Sequence, residues 1–122
     1  MKNFAWPTTQ PPRDIAQQLI DALNASDPAA LMRLYHPNAG HVTARRTVVG
    51  LEDLSKWYLD LLKNTLAGAQ FTLVETSGKG NARRLRWTAD SLAGKVMDGD
   101  DTLGLREGLI QYHYTSFTIS PS

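Results

Sequence analysis

The residues with the most chemical potential stand near the end of this chain. They are Asp101 and His113, an acid and an imidazole separated by a stretch that reads as one hairpin. Leu105 is followed by Arg106-Glu107-Gly108 and then Leu109. Glutamate resists positive φ, so a three-residue loop with Gly108 in the left-handed position is expected in preference to a two-residue Glu107-Gly108 turn. That loop sets Leu105 opposite Leu109, Leu103 opposite Gln111, and Asp101 opposite His113. Side chains two apart along a strand share a face, which aligns Asp101 with Leu103 and Leu105 on an interior surface. A carboxylate accepting from an imidazole N–H there would fix the ring's tautomer and leave the second nitrogen free as an acid or base toward a pocket. The two groups would titrate as a unit. The same geometry also serves plainer ends: contact with a ligand that is not turned over, or a buried polar bridge in which each group satisfies the other.

Other residues could join such a site. His41 lies on a short expected strand, His41-Val42-Thr43, either as a satisfied or surface imidazole or as a second functional one. Trp57, Tyr58, Trp87 and Phe117 are aromatics that would line a cavity if one is open, and plain core if it is not. A few polar groups set among aromatics is the usual make-up of a small-molecule pocket. His36, next to Pro37, reads as a helix-end dipole partner or an exposed residue. The three histidines lack the helical spacing of a metal site, so no metal is expected. Asp98-Gly99-Asp100-Asp101 shares composition with a calcium loop but has neither its spacing nor its closing glutamate. No cofactor is expected, because no glycine-rich strand-to-helix turn is present.

The elements that must position these groups follow from periodicity. Pro11-Pro12-Arg13-Asp14 reads as a helix entry, and Ala16, Leu19, Ile20 and Leu23 recur at helical spacing up to Asn24. Ser26-Asp27-Pro28 signals a cap and a restart into a short second helix carrying Leu31, Leu34 and Tyr35 inward and closed by Pro37. Arg45 to Val49 reads as an exposed stretch. A third helix, from Leu51 to about Leu66, carries the stripe Leu51, Leu54, Tyr58, Leu61 and Leu62, and Gly68 stops it. The period then changes to alternation: Phe71 to Glu75, a turn at Ser77 to Asn81, and a strand with Leu85, Trp87, Ala89 and Ser91 on one face. Val96 to Leu105 and Leu109 to Ile119 complete a meander. Helices first and strands afterwards predict an α+β domain. Ile110, Tyr112 and Tyr114 fall on the outward face of the last strand, and a sheet that is apolar on both faces must cover both, so a homodimer through that face is expected.

Composition narrows the remaining classes. At 122 residues the chain suits one domain over residues 11–122, preceded by an arm over residues 1–10 that holds Phe4 and Trp6. Thirteen basic and twelve acidic residues give a net charge of +1, which gives a polyanion nothing to bind, so no nucleic-acid partner is expected. The absence of cysteine excludes disulfides and thiol catalysis. No apolar run has the length to cross a bilayer, and a cytoplasmic protein without a membrane partner is expected.

Taken in order, Leu23-Asn24-Ala25-Ser26-Asp27, Leu34-Tyr35-His36-Pro37-Asn38-Ala39, Gly50 opening the long helix, and Arg106-Glu107-Gly108-Leu109-Ile110 are familiar motifs. From about Asp14 to Ile119 the chain resembles the nuclear transport factor 2-like superfamily, in its SnoaL-like and ketosteroid-isomerase-like branch. The resemblance implies a cone-shaped half barrel: three N-terminal helices packed on a curved, mostly antiparallel sheet around an apolar pocket. It also implies that dimers are common. Carried over by motif, it puts Leu19 where an isomerase has its oxyanion-hole tyrosine and Thr43 where it has its general base, and neither residue can do that work. Asp101 matches the second oxyanion acid, and Tyr35 and Tyr58 match supporting tyrosines. Steroid isomerisation is therefore not expected. The expectation is a pocket for a small hydrophobic molecule, contacted by Tyr35, His41, Trp57, Tyr58, Trp87 and Phe117. His113 would be acid or base and Asp101 its orienter, in isomerase, cyclase or dehydratase chemistry. The alternatives are a non-catalytic ligand-binding domain or a dimerisation module with a filled cavity.

Overall fold

The computed structural model describes residues 14–121. The expected N-terminal arm, and the Pro11-Pro12-Arg13 part of the first helix entry, lie outside the described residues. Helix α1 spans Ile15–Asn24, and the Asp14 carboxylate caps it by accepting from the Ala16 N–H at 3.0 Å. The buried side of α1 carries Ile15, Ala16, Leu19, Ile20, Ala22 and Leu23, the expected stripe with neighbours added. At its C-terminal end the Asn24 amide bridges to the backbone of Phe71, accepting from its N–H at 2.7 Å and donating to its carbonyl at 2.9 Å.

Helix α2, Pro28–Met32, starts as expected, with proline in its first turn and Asp27 accepting from the Ala30 N–H at 3.2 Å. It ends sooner than expected. Tyr35 opens strand β1 (Tyr35–Val42), and Pro37 lies inside that strand rather than closing a helix. The ladder from β1 to its neighbour is irregular between Tyr35 and Gly40, so the missing proline N–H falls where regular pairing is interrupted. Either way Tyr35 points inward. The stretch expected to be exposed is strand β2 (Thr47–Val49), with Val48 buried. Three residues are too few to display a period.

Helix α3 (Leu51–Asp60) buries Leu54 and Tyr58 and runs on into a π-helical turn, Leu61–Thr65, closed by the Leu66 N–H donating to the Leu61 carbonyl at 2.7 Å. Strands β3 (Gln70–Ser77), β4 (Ala82–Ser91), β5 (Gly94–Arg106) and β6 (Leu109–Ser116) follow. The six strands form one curved, unclosed sheet in the order β2-β1-β6-β5-β4-β3. Every neighbouring pair is antiparallel except β1 and β6, which run parallel and set His41 beside His113. Helix α1 packs against β3 and β4, and α3 against β1 and β2. The core between the layers is filled by Leu19, Leu31, Leu54, Leu66, Leu85, Val96, Leu103 and Ile110, all without meaningful exposure.

The β5–β6 hairpin departs from its expected register. Arg106 pairs with Leu109, so the turn has two residues, with Glu107 at φ +54° and Gly108 at φ +79°. The twist of this mirror-type turn matches that of the strands it joins, and that match outweighs the cost of a left-handed glutamate. Further along, Gly104 pairs with Tyr112 while Leu105 pairs with Ile110, leaving Gln111 as a bulged extra residue. Beyond the bulge Asp101 faces Thr115, and Leu103 faces His113. Turn and bulge each slide the register by one position. Together they slide it by two, which returns Asp101 and His113 to the same inward face. Between turn and bulge the parity is reversed. Ile110, expected outside with Tyr112 and Tyr114, is therefore fully buried, while the two tyrosines remain exposed.

Candidate functional site: a buried polar chain behind an open groove

Four strands and one helix contribute to a single hydrogen-bonded chain. β5 supplies Asp101, β6 supplies His113 and Thr115, β1 supplies Tyr35 and His41, β4 supplies Trp87, and α3 supplies Tyr58. Asp101 accepts three donors. The Trp87 indole N–H reaches Oδ1 at 2.9 Å, while His113 Nε2 at 2.6 Å and the Thr115 hydroxyl at 3.2 Å reach Oδ2. The second His113 nitrogen, Nδ1, lies 2.7 Å from the Tyr35 hydroxyl, which is itself bonded to the Tyr58 hydroxyl. On the other branch His41 Nε2 lies 2.9 Å from the Thr115 hydroxyl oxygen. Gly99 makes room for Trp87, because a Cβ there would sit 2.2 Å from the indole ring.

Counting donors fixes the direction of the chain. An ionised Asp101 only accepts, so His113 donates through Nε2 and accepts at Nδ1 from Tyr35, which in turn accepts from Tyr58. Were Nδ1 to donate instead, the protons would shift along the chain and leave the Tyr58 O–H with no acceptor among the described residues. The Thr115 hydroxyl lies 3.2 Å from Asp101 Oδ2, 3.1 Å from His113 Nε2 and 2.9 Å from His41 Nε2. A carboxylate is the strongest acceptor of the three, so we assign the Thr115 proton to Asp101, which leaves its oxygen to accept from His41 Nε2. His41 Nδ1 is therefore a bare acceptor, buried and without a hydrogen-bond partner among the described residues. Burial, reinforced by the neighbouring His113, lowers the His41 pKa to about 2. Burial likewise raises both tyrosine hydroxyls, Tyr35 and Tyr58, well above their ordinary range.

An open groove of about 890 Å³ lies beside this chain, with Val48, Trp57, Leu61, Thr115, Phe117 and Ile119 in its wall and Arg45, Arg46, Asp53, Lys56 and Asp60 adding charge. Of the residues expected to form a site, Trp57 and Phe117 line the groove, whereas Tyr35, His41, Tyr58, Trp87, Asp101 and His113 do not. The His113 side chain is 2% exposed, and both its nitrogens are engaged within the protein. The residue that sequence reasoning missed is Thr115, which belongs to both chain and groove wall. Its signal was present: two positions beyond His113, it must share the same face. No cluster of three metal-ligating side chains occurs among the described residues.

The α+β architecture with its curved sheet is the cystatin-like fold of the nuclear transport factor 2-like superfamily. The chain belongs to the SnoaL-like domain family, whose pattern it matches over residues 16–113. Comparison with curated proteins finds no match. Among solved structures, the chain is similar to a SnoaL-like family member from Agrobacterium tumefaciens whose isomerase assignment is itself an inference. The TM-score is 0.69 at 22% identity, covering 85% of this chain and 94% of that one. A Sinorhizobium meliloti protein, with polyketide cyclase activity assigned in the same way, gives a TM-score of 0.72 at 16% identity over 83% and 92% of the two chains. A protein of unknown function with a cystatin-like fold from Methylobium petroleophilum gives 0.73 at 15% identity over 88% and 75%. At these identities the likeness is one of fold.

Proposed function

We propose that this SnoaL-like domain binds a small, largely apolar molecule in the groove between Trp57 and Phe117, against the Thr115 hydroxyl. The observation that carries the reading is the double membership of Thr115, which is 6% exposed, lines the groove and is held by both Asp101 and His41. A fixed hydroxyl among aromatic walls is what orients a ligand in an apolar site. In this reading Trp57 and Phe117 touch the ligand. Tyr35, His41, Tyr58, Trp87, Asp101 and His113 form the layer behind them that fixes their positions.

A second reading, acid–base chemistry of the isomerase, cyclase or dehydratase type, is supported by the continuous path from groove to imidazole. A proton could move between a ligand and the Asp101–His113 pair only through the Thr115 hydroxyl, since His113 has no free nitrogen. The test is a binding screen of small cyclic and polyene compounds against purified protein, together with mass spectrometry of whatever copurifies. Phe117→Ala should weaken binding about tenfold, roughly 1.4 kcal/mol. If the wild-type protein binds none of the panel and carries nothing, the groove is not a ligand site. Turnover that is lost in His113→Gln while binding persists would establish the second reading.

We also propose self-association through the outer sheet face. Tyr112 and Tyr114, 45% and 39% exposed, stand two apart on β6 as a paired aromatic surface, without Ile110.

A further inference from the structure

His41 Nδ1 is the feature that the buried chain does not explain. Every other side-chain nitrogen and oxygen of the hydrogen-bonded chain donates or accepts, whereas this atom is enclosed and has no partner among the described residues. Leaving a buried acceptor unpaired is destabilising, a cost an apolar side chain of similar shape would not incur. The ring is held firmly. Nε2 is fixed on Thr115, the His113 ring lies at 4.4 Å, and Trp57 meets it edge-on with ring centres 4.3 Å apart. Both Thr115 and Trp57 also line the groove, so a single layer of side chain separates the imidazole from open space.

The backbone beside Trp57 is also unusual. The Leu61 N–H bonds to the carbonyls of both Trp57 and Tyr58, and from there the helix passes into the π-helical turn Leu61–Thr65. Leu61 and Thr65 line the same groove. Single π-turns interrupt the regular helical ladder and occur frequently at functional sites. Trp57 thus sits at the last regular turn before an irregular one, edge-on to the ring that carries the unpaired acceptor.

We propose that the groove takes ligands carrying a hydroxyl or N–H donor, that Trp57 is displaced as they enter, and that the donor docks on His41 Nδ1. This rests on the groove being a ligand site and adds the chemistry the ligand must have. The polarity is set by the chain: Thr115 gives its proton to Asp101, so His41 spends its own on Thr115 and presents a lone pair. A ligand offering only an ether or carbonyl oxygen finds no donor at His41. His41 is a binding residue in this reading, not a base.

The experiment compares 1-naphthol with 1-methoxynaphthalene, which share a ring system and differ in the donor. Calorimetric titration of wild-type protein should show naphthol binding about tenfold more tightly, a preference that disappears in His41→Phe. In wild-type protein the nitrogen-15 resonance of His41 Nδ1 should move upfield with naphthol and stay in place with the methyl ether, a readout independent of whether the variant folds. Equal affinities, a preference retained in His41→Phe, or an unmoved resonance would overturn the donor assignment while leaving the groove as an apolar site. If neither compound binds, both readings fall.

Discussion

Asp101 is held by an indole, an imidazole and a hydroxyl, so the balance of the buried chain depends on each donor staying in place. Replacing His113 by leucine keeps the volume but leaves Asp101 Oδ2 with only the longer Thr115 bond and strands the Tyr35 O–H in the interior. His113→Leu should lower stability by about 2–4 kcal/mol in urea denaturation. A loss under half a kcal/mol would mean the chain contributes little. His41 gives a separate pH signature. Its folded pKa of about 2 lies below the ordinary 6.5, so between those values the unfolded chain holds a proton that the folded one refuses. Stability should therefore fall as pH drops below 6.5, with His41 contributing a slope of up to about 1.4 kcal/mol per pH unit. In His41→Phe that contribution should vanish. Identical slopes in the two proteins would show that the ring is not kept neutral.

At the scale of elements, the hairpin and its bulge decide which side chains meet. Glu107 occupies a left-handed conformation at φ +54°, where asparagine is more at ease. Glu107→Asn should raise stability by about 1 kcal/mol without disturbing the site, as read from the denaturation midpoint. On the partner strand, Gly99 faces Trp87 across β4 and β5. Gly99→Ala would push the indole off its bond to Asp101, at a cost of about 1–3 kcal/mol and a changed near-ultraviolet circular dichroism signal. An unaltered spectrum would rule that geometry out. The elements themselves were largely legible. The stripe of α1, the Asp27 cap, and the alternation of Leu85, Trp87 and Ala89 all appear where their spacing requires. The Glu107-Gly108 turn was misread because residue preference at one position was weighed without the twist of the strands, which a local reading does not contain. The Gln111 bulge leaves no composition signal at all. Asp101 and His113 still met, because the two displacements preserve the face even though they change the partner.

For the whole molecule, the self-association proposed through the exposed tyrosine pair is open to direct measurement. Sedimentation should show a dimer for the wild-type protein and a monomer for Tyr112→Arg combined with Tyr114→Arg, with unchanged secondary structure. A wild-type monomer at high concentration would remove the proposed interface. No helix among the described residues is long and apolar enough to cross a membrane.

Periodicity, capping residues and motif order by themselves determined the fold class, the order of the helices and of every strand but β2, and the inward placement of one acid and one imidazole, because these depend on spacing along the chain. Tertiary structure alone decided that β1 runs parallel to β6, bringing His41 against His113 and Thr115. It alone decided that Tyr35 closes the second nitrogen of His113, and that the groove opens on Thr115 and Trp57. These contacts join residues dozens of positions apart. Their geometry comes from how a sheet twists and packs beneath its helices, and no local pattern of residues encodes that.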